Sequence, residues 1–420
     1  MGVLEDTLAH VAALRPRAGM NAPRPAAEGA RNAEPLLRLL GGRVGSNRFG
    51  DHVCVQCRFP EPRPSEMSPR ALQLLSPGSA ASACDFRQWL FLDTETTGLA
   101  GGTGTYAFLV GLGWWEDDGF VVEQYFMRNH GEEPSLLLEV LDRLNQRRVL
   151  VTFNGKSFDW PLLQTRFQMA RIRPLPELLA HLDLLHPARQ IWRLSLKSVA
   201  LTELERHVLR FRRDHDIPSA TIPQRYFDFL RGGPPEEIAE VFHHNQLDLC
   251  GLAFLALRIR DILENPENGA CGGRELFGVS RMMQRRGESA SAERIYQRAL
   301  AEGLPETAEK VARRELALIA KRGRNFELSN AHWEKLLGDS AYGMKAYEQL
   351  AMYYEHEASD FQKAAALSRE ALIRLQAAVR AGRISSQNYQ QWHAGFQHRL
   401  KRLASKMANT HPVILPSRGE

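Results

Sequence analysis

The sequence predicts two kinds of domain in tandem. Residues 85–262 read as an α/β domain, a mixed central sheet flanked by helices, and residues 272–406 as an all-α helical-repeat domain. Three observations predict this. Short apolar runs broken by turn residues alternate with helical stretches up to residue 185. Helical periodicity alone continues beyond Gly272. Within that part Leu316-Ala317 returns 34 positions later as Leu350-Ala351, the sign of a repeated helix pair.

Trp89-Leu90-Phe91-Leu92 is a short apolar run suited to a buried central strand. Tyr106–Trp115 and Phe120–Phe126 are two more strands, joined through Glu116-Asp117-Asp118-Gly119, a hairpin turn signal. Glu133–Asn145 is helical, with Leu136, Leu137, Val140, Leu141 and Leu144 on one face. Val149–Phe153 is a fourth strand and Phe158–Met169 a helix, with Ser157 as its candidate cap and Pro161 tolerated in the first turn. His181–Leu185 is a fifth strand, and helices then dominate up to Ile238–Leu263. This is the element order of a ribonuclease-H fold. In the second domain Leu350-Ala351-x-x-Tyr354, then Ala364 and Ala371-Leu372, resembles a tetratricopeptide pattern. Ala331 and Trp333 align with Ala365 and Leu367, and a weaker copy runs through Ala292, Tyr296 and Ala299.

Residues 1–84 read as a Pro/Arg-rich leader, partly disordered, and residues 407–420 as a tail. Gly50–Phe59 alternates like an edge strand and contains Cys54-x-x-Cys57, for which strand packing is a better account than zinc, because no second pair stands at a matching distance. Five cysteines argue against a disulfide framework and for a reducing compartment. No apolar run reaches membrane-spanning length and the start lacks a secretory pattern, so the expected location is cytoplasmic, with no membrane partner. A net charge of +5 leans towards an anionic partner without identifying one. Part of the excess lies late in the chain, in Arg383, Arg399, Lys401, Arg402, Lys406 and Arg418, which suit a solvated helix end or a phosphate-contacting patch.

The chemistry is read from Phe91-Leu92-Asp93-Thr94-Glu95-Thr96-Thr97-Gly98-Leu99. Asp93 and Glu95 are two apart, so on a strand they share a face. Adjacent carboxylates on a buried strand repel unless a cation lies between them, and hard oxygen donors suit magnesium or manganese. Asp159 follows a strand and enters a helix, and Asp248 sits among Leu247, Leu249 and Leu252 on a long apolar helix.

Asp-x-Glu, a middle Asp and a last Asp preceded by His resemble the DEDD 3′–5′ exonuclease superfamily. Longer strings narrow the resemblance to the YprB-type ribonuclease-H-like family, over roughly residues 88–260. They are Leu92–Tyr106, Val151–Asp159, His181–His186, Asp216-Ile217-Pro218 and His244-Asn245-x-x-Asp248. The family often continues into tetratricopeptide-like helices. The resemblance implies a nuclease that hydrolyses nucleic acid phosphodiesters with two divalent cations, Mg2+ or Mn2+. Asp93 would bridge both ions, Glu95 and Asp248 would complete the one that activates water, and Asp159 would hold the other. His244 would orient or deprotonate the water, with His243 the alternative base. On a continuous helix His244 and Asp248 are i and i+4 and share a face.

Candidate substrate contacts are Thr94, Thr96, Asn154, Lys156 and Ser157, though a plain turn accounts for the last three equally well. Gly101-Gly102-Thr103-Gly104 reads as a tight connection between strands rather than a nucleotide cradle, and Asp183 as a structural hydrogen-bonding residue. The rival readings are a structure-selective endonuclease with the same acids, and a non-catalytic scaffold that binds nucleic acid or protein. The helical repeats are expected to engage a protein partner or nucleic acid.

Overall fold

The computed structural model of the chain describes residues 33–61, 63–98, 104–268 and 271–410. The chain forms two compact units, Met1–Cys271 and Gly272–Glu420.

The first unit is built on a seven-stranded sheet in the order β1-β2-β5-β4-β3-β6-β7. The strands are β1 Arg43–Asn47, β2 Gly50–Phe59, β3 Trp89–Thr96, β4 Ala107–Glu116, β5 Gly119–Phe126, β6 Val149–Thr152 and β7 Ala180–Asp183. The first five pair antiparallel where they neighbour one another, while β3, β6 and β7 run parallel. The helices of this unit are α1 Ala33–Leu40, α2 Pro69–Leu75, α3 Glu133–Gln146, α4 Asp159–Met169, α5 Leu185–Trp192, α6 Leu201–His207, α7 Ile222–Leu230 and α8 Pro235–Glu264. β5 is buried along its whole length and β4 at all but Glu116, so both faces of the sheet centre are covered.

α8 packs on β3, β4 and β5. It opens on Pro235 with Glu236 and Glu237 in its first turn, the composition a helix start favours. Its apolar residues run nearly all round, so it is buried as a core helix. Gly111 on β4 permits the approach: a Cβ there would lie 2.1 Å from Asn245 Oδ1 and 2.8 Å from a Leu249 methyl. β6 pairs with β3 only over Trp89–Phe91, so Asp93 and Glu95 lie beyond the paired stretch, at the carboxyl end of the parallel strands. The β6–α4 turn emerges at that same end. It uses Asn154 with φ +67, a left-handed conformation asparagine tolerates.

Several expectations change. Gly50–Phe59 is a strand, but β1 covers one side and β5 the other, so it is not an edge. Residues 33–84, read as leader, instead supply α1, β1, β2 and α2 to the sheet unit. β1 was missed because Arg43-Val44-Gly45-Ser46-Asn47 holds one large apolar residue and no alternation. α4 starts at Asp159 after Phe158 and takes no side-chain cap, so Ser157 does not cap it. Cys54 and Cys57 are three apart on a strand and face opposite ways, which excludes a shared metal. Both are free thiols, and burial, with Glu123 beside it, pushes Cys54 up to about 12. Residues 1–32 and 411–420 and the glycines 101–102 lie outside the described residues.

The second unit is all helix: α9 Gly273–Arg285, α10 Ser289–Glu302, α11 Glu306–Arg322, α12 Phe326–Glu334, α13 Gly343–His356, α14 Phe361–Arg380 and α15 Ser386–Thr410. Each helix packs on the next. Leu316-Ala317 on α11 and Leu350-Ala351 on α13 are equivalent and buried. The 34-residue register fails in the second helices: Ala331 is exposed where Ala365 is buried. The α11–α12 join spans residues 323–325 and the α13–α14 join 357–360, so the second join is one residue longer. Among the described residues no helix is long and apolar enough to cross a membrane.

Candidate metal centre

Asp93 and Glu95 project from the end of β3 towards α8. Glu95 is 8% exposed. Asp93 Oδ2 accepts from Asn245 Nδ2 at 2.8 Å, while the Asn245 carbonyl accepts from Gln124 Nε2 of β5 at 2.8 Å. A buried relay from β5 through α8 therefore fixes the Asp93 carboxylate. The register irregularity after Glu95 ends the regular β3–β4 ladder at the site.

α8 adds His244 and Asp248, one turn apart on the face towards β3. His244 Nε2 lies 3.3 Å from Asp248 Oδ2 and 4.0 Å from Glu95 Oε1. Glu95, His244 and Asp248 each offer a ligand atom, and those atoms lie within 4.8 Å of one another. Asp159 is the first residue of α4 and its Oδ1 accepts from Thr94 Oγ1 at 2.5 Å. Thr94 points away from its strand neighbours, Asp93 and Glu95, and so ties β3 to α4.

The charges are incompletely balanced. Among the described residues no lysine or arginine pairs with Asp93, Glu95 or Asp159. Burial, followed by the Asp248 and Asp159 charges, holds the Asp93 carboxyl well above the ordinary range. Burial and then Asp93 itself do the same to Glu95. Burial lifts Asp159 to about 6, although the Thr94 hydroxyl pulls it down. Such a set favours a bound cation, because a cation returns each carboxylate to its ionised form and removes the repulsion. The donors are mostly carboxylate oxygens, the hard ligands that suit a divalent cation.

One cation is built in. Arg213, 5% exposed in its side chain, donates from Nη2 to Asp248 Oδ1 at 2.5 Å and from Nη1 to Asp216 Oδ2 at 2.9 Å. Its Nε and Nη2 also hold Glu205 in a fork, both at 2.6 Å. Gly251 of α8 makes room for Glu205: a Cβ there would meet Glu205 Oε1 at 1.9 Å. Asp216 Oδ1 lies 2.6 Å from His244 Nδ1. Against the effect of burial, the hydrogen bond from His244 and the Arg213 charge hold Asp216 down at about 2. Burial lowers the His244 pKa, but the bond to Asp216 and the Asp248 charge outweigh it and leave it raised.

Asp93, Glu95, Asp159, His244 and Asp248 thus come together. The other named residues differ. Thr96 Oγ1 donates locally to Gly98 O at 3.0 Å. Asn154 and Lys156 donate their backbone N–H groups to Asp183 at 2.8 and 3.1 Å. Asp183 also accepts from Leu185 N at 3.1 Å, a structural role. Lys156 and Ser157 are exposed, and their side chains make no bond to the acids among the described residues. His243 is half-buried on α8, which is already helical from Pro235, so it is not in a loop. Sequence reasoning missed Arg213, Glu205 and the positioning role of Asn245. Asp216 was visible only as part of Asp216-Ile217-Pro218. Around Arg213 the sequence offers only a charged cluster, Phe211-Arg212-Arg213-Asp214-His215-Asp216, in a stretch without periodicity, which names no partner.

Residues 90–259 match the profile of the RNase_H superfamily. The chain is 32% identical over 286 residues to the uncharacterized protein YprB of Bacillus subtilis (strain 168), a match covering 67% of this chain and 68% of that one. With a ribonuclease-H-like sheet, a cluster of acids at its carboxyl edge and this level of identity, the chain belongs to the YprB family of the ribonuclease-H superfamily.

Proposed function

We propose that this protein is a metal-dependent nuclease that removes nucleotides from the 3′ end of nucleic acid. The observation that supports it most is the convergence of Glu95, His244 and Asp248 within 4.8 Å, beside a desolvated Asp93. Two magnesium or manganese ions, when bound, would neutralise charge on the phosphate and make water a nucleophile at neutral pH. Asp93, Glu95 and Asp248 would hold one ion; Asp93 and Asp159 the other. His244 accepts the proton of the attacking water at Nε2, the ring nitrogen facing Glu95 and Asp248. Thr94 orients Asp159. Lys156, Ser157 and Phe158, all exposed immediately before Asp159, would meet the substrate's phosphates and terminal base. Phe158 is 60% exposed, an aromatic suited to stacking.

We further propose that residues 272–406 form tetratricopeptide-like repeats that engage a protein partner or the nucleic acid. Successive helix pairs, with buried small residues such as Ala317, Ala351 and Ala365, support this.

The test is incubation of the protein with Mn2+ and end-labelled single-stranded and duplex DNA and RNA. A ladder retreating from the 3′ end is expected. Internal fragments would make the enzyme an endonuclease, and intact substrate throughout would defeat the nuclease reading in favour of a scaffold.

A further inference from the structure

We propose that Asp216 and Arg213 are positioning residues: Asp216 fixes the His244 ring with its proton on Nδ1, and Arg213 restricts Asp248 to offering a single oxygen, Oδ2, to the site. The inference rests on the nuclease reading only where turnover is measured.

The geometry supports each half. Asp216 Oδ2 accepts from Arg213 at 2.9 Å, and Oδ1 accepts from Ile217 N at 2.9 Å. A carboxylate engaged in this way is acceptor-only, so the His244 nitrogen 2.6 Å from Oδ1 must be the N–H. In the neutral ring the other nitrogen, Nε2, then has its lone pair directed at Asp248 Oδ2 and Glu95 Oε1. The hydroxyl of Ser219, 3.4 Å from Nε2, can donate to that lone pair and does not require a proton there. Arg213, in turn, occupies Asp248 Oδ1 at 2.5 Å and is itself gripped by Glu205, which is 1% exposed. A guanidinium forked this way cannot swing off without leaving Glu205 buried and unpaired. Residues 208–218 have no helix or strand, and this network ties the segment to α8 alongside the buried Phe211 and Ile217. Partners that orient the groups around an ion are typically worth 10–100-fold in affinity or rate.

The first experiment reads the wild-type protein and uses a variant only for assignment. Long-range 1H–15N spectra of the metal-free protein, labelled at histidine, assigned by loss of one signal in His244→Gln and recorded at a pH high enough for the ring to be neutral, should show His244 as the Nδ1–H tautomer. In Asp216→Ala the ring should relax towards Nε2–H, turnover should fall roughly 10–100-fold, and KM should move by less than about threefold. Arg213→Lys keeps the charge but not the fork, and should weaken Mn2+ binding by roughly 10–100-fold in a titration that follows free Mn2+ by EPR. An Nε2–H tautomer in the wild type overturns the role of Asp216. Unchanged Mn2+ affinity in a folded Arg213→Lys overturns that of Arg213. A wild-type protein that cuts nothing defeats the nuclease reading instead, and the tautomer and the Mn2+ titration still decide the positioning roles.

Discussion

Two buried acids in this chain have opposite surroundings. Glu355 on α13 is 2% exposed and receives Arg399, Arg402 and Lys406 from α15 at 2.8, 2.6 and 3.0 Å. Glu95 on β3 is 8% exposed and has acids and one imidazole around it. Burial works against the charge of both. At Glu355 the Arg402 and Lys406 bonds outweigh it and bring the carboxyl down to about 2. At Glu95 the neighbours add to it and push the carboxyl far up. A compensated buried acid holds helices together, whereas an uncompensated one costs stability unless a cation from solution arrives. Three of the late basic residues, Arg399, Arg402 and Lys406, thus have a partner in Glu355.

The largest effect that could break the contrast is at Asp93. Asp93→Asn removes one charge from the uncompensated group, so cleavage should fall by on the order of 10³-fold or more. The melting temperature without metal should hold or rise, because repulsion falls. Wild-type cleavage, or a collapse in stability, would put Asp93 in the same class as Glu355. Next in size is the base. His244→Ala should cost roughly 10²–10⁴-fold in turnover, and His243→Ala little. The reverse pattern would hand the role to His243.

A smaller effect separates the two units directly. The proposed ion would bind the folded acid site and not the unfolded chain, so Mn2+ at about a hundred times its dissociation constant should stabilise the first unit by roughly 2.7 kcal/mol. Hydrogen exchange should slow in β3 and α8 and stay unchanged in α13 and α15. Chelation with EDTA should reverse it. Protection that appears equally in both units would mean the ion is not at the acids.

How much of this was legible depends on distance along the chain. Asp93 and Glu95 could be read because strand periodicity and an apolar run are local signals. Asp248 could be read because it stands between Leu247 and Leu249 in the apolar middle of α8. The i,i+4 pairing of His244 with Asp248 follows from helix geometry alone. Arg213 could not be read: its partners are Glu205, Asp216 and Asp248, the last 35 residues away, and its own segment has no period. Asn245 was hidden for a related reason, since its value lies in Gln124 of β5, 121 residues earlier. The helical unit shows the same limit in another form. The 34-residue register was visible in α11 and α13, but the longer second join shifted the next helices, and only the fold reveals which alanine turns inward.

The last expected effect concerns Glu355 and pH. Its carboxyl ordinarily titrates at 4.5 and is held at about 2 in the folded chain. A depressed acid contributes stability that is complete above its unfolded pKa and is lost as pH falls through the folded one. The window is therefore about pH 4.5 down to about 2. Above that window Glu355→Gln should destabilise the second unit by roughly 1.5–3 kcal/mol, the scale of hydrogen bonds to a charged group. It leaves Arg399, Arg402 and Lys406 facing a neutral amide. Below the window the wild-type side chain is itself neutral, so variant and wild type should converge. The measurement is hydrogen exchange in α13 and α15 of the full chain at pH 7 and through the acid range, with Mn2+-dependent cleavage at pH 7 as the control. Cleavage should be unchanged, because Glu355 lies in the unit that does not contain the acids. A gap that persists at pH 2 would show that Glu355 acts by packing rather than by charge, and the contrast with Glu95 would then be one of shape.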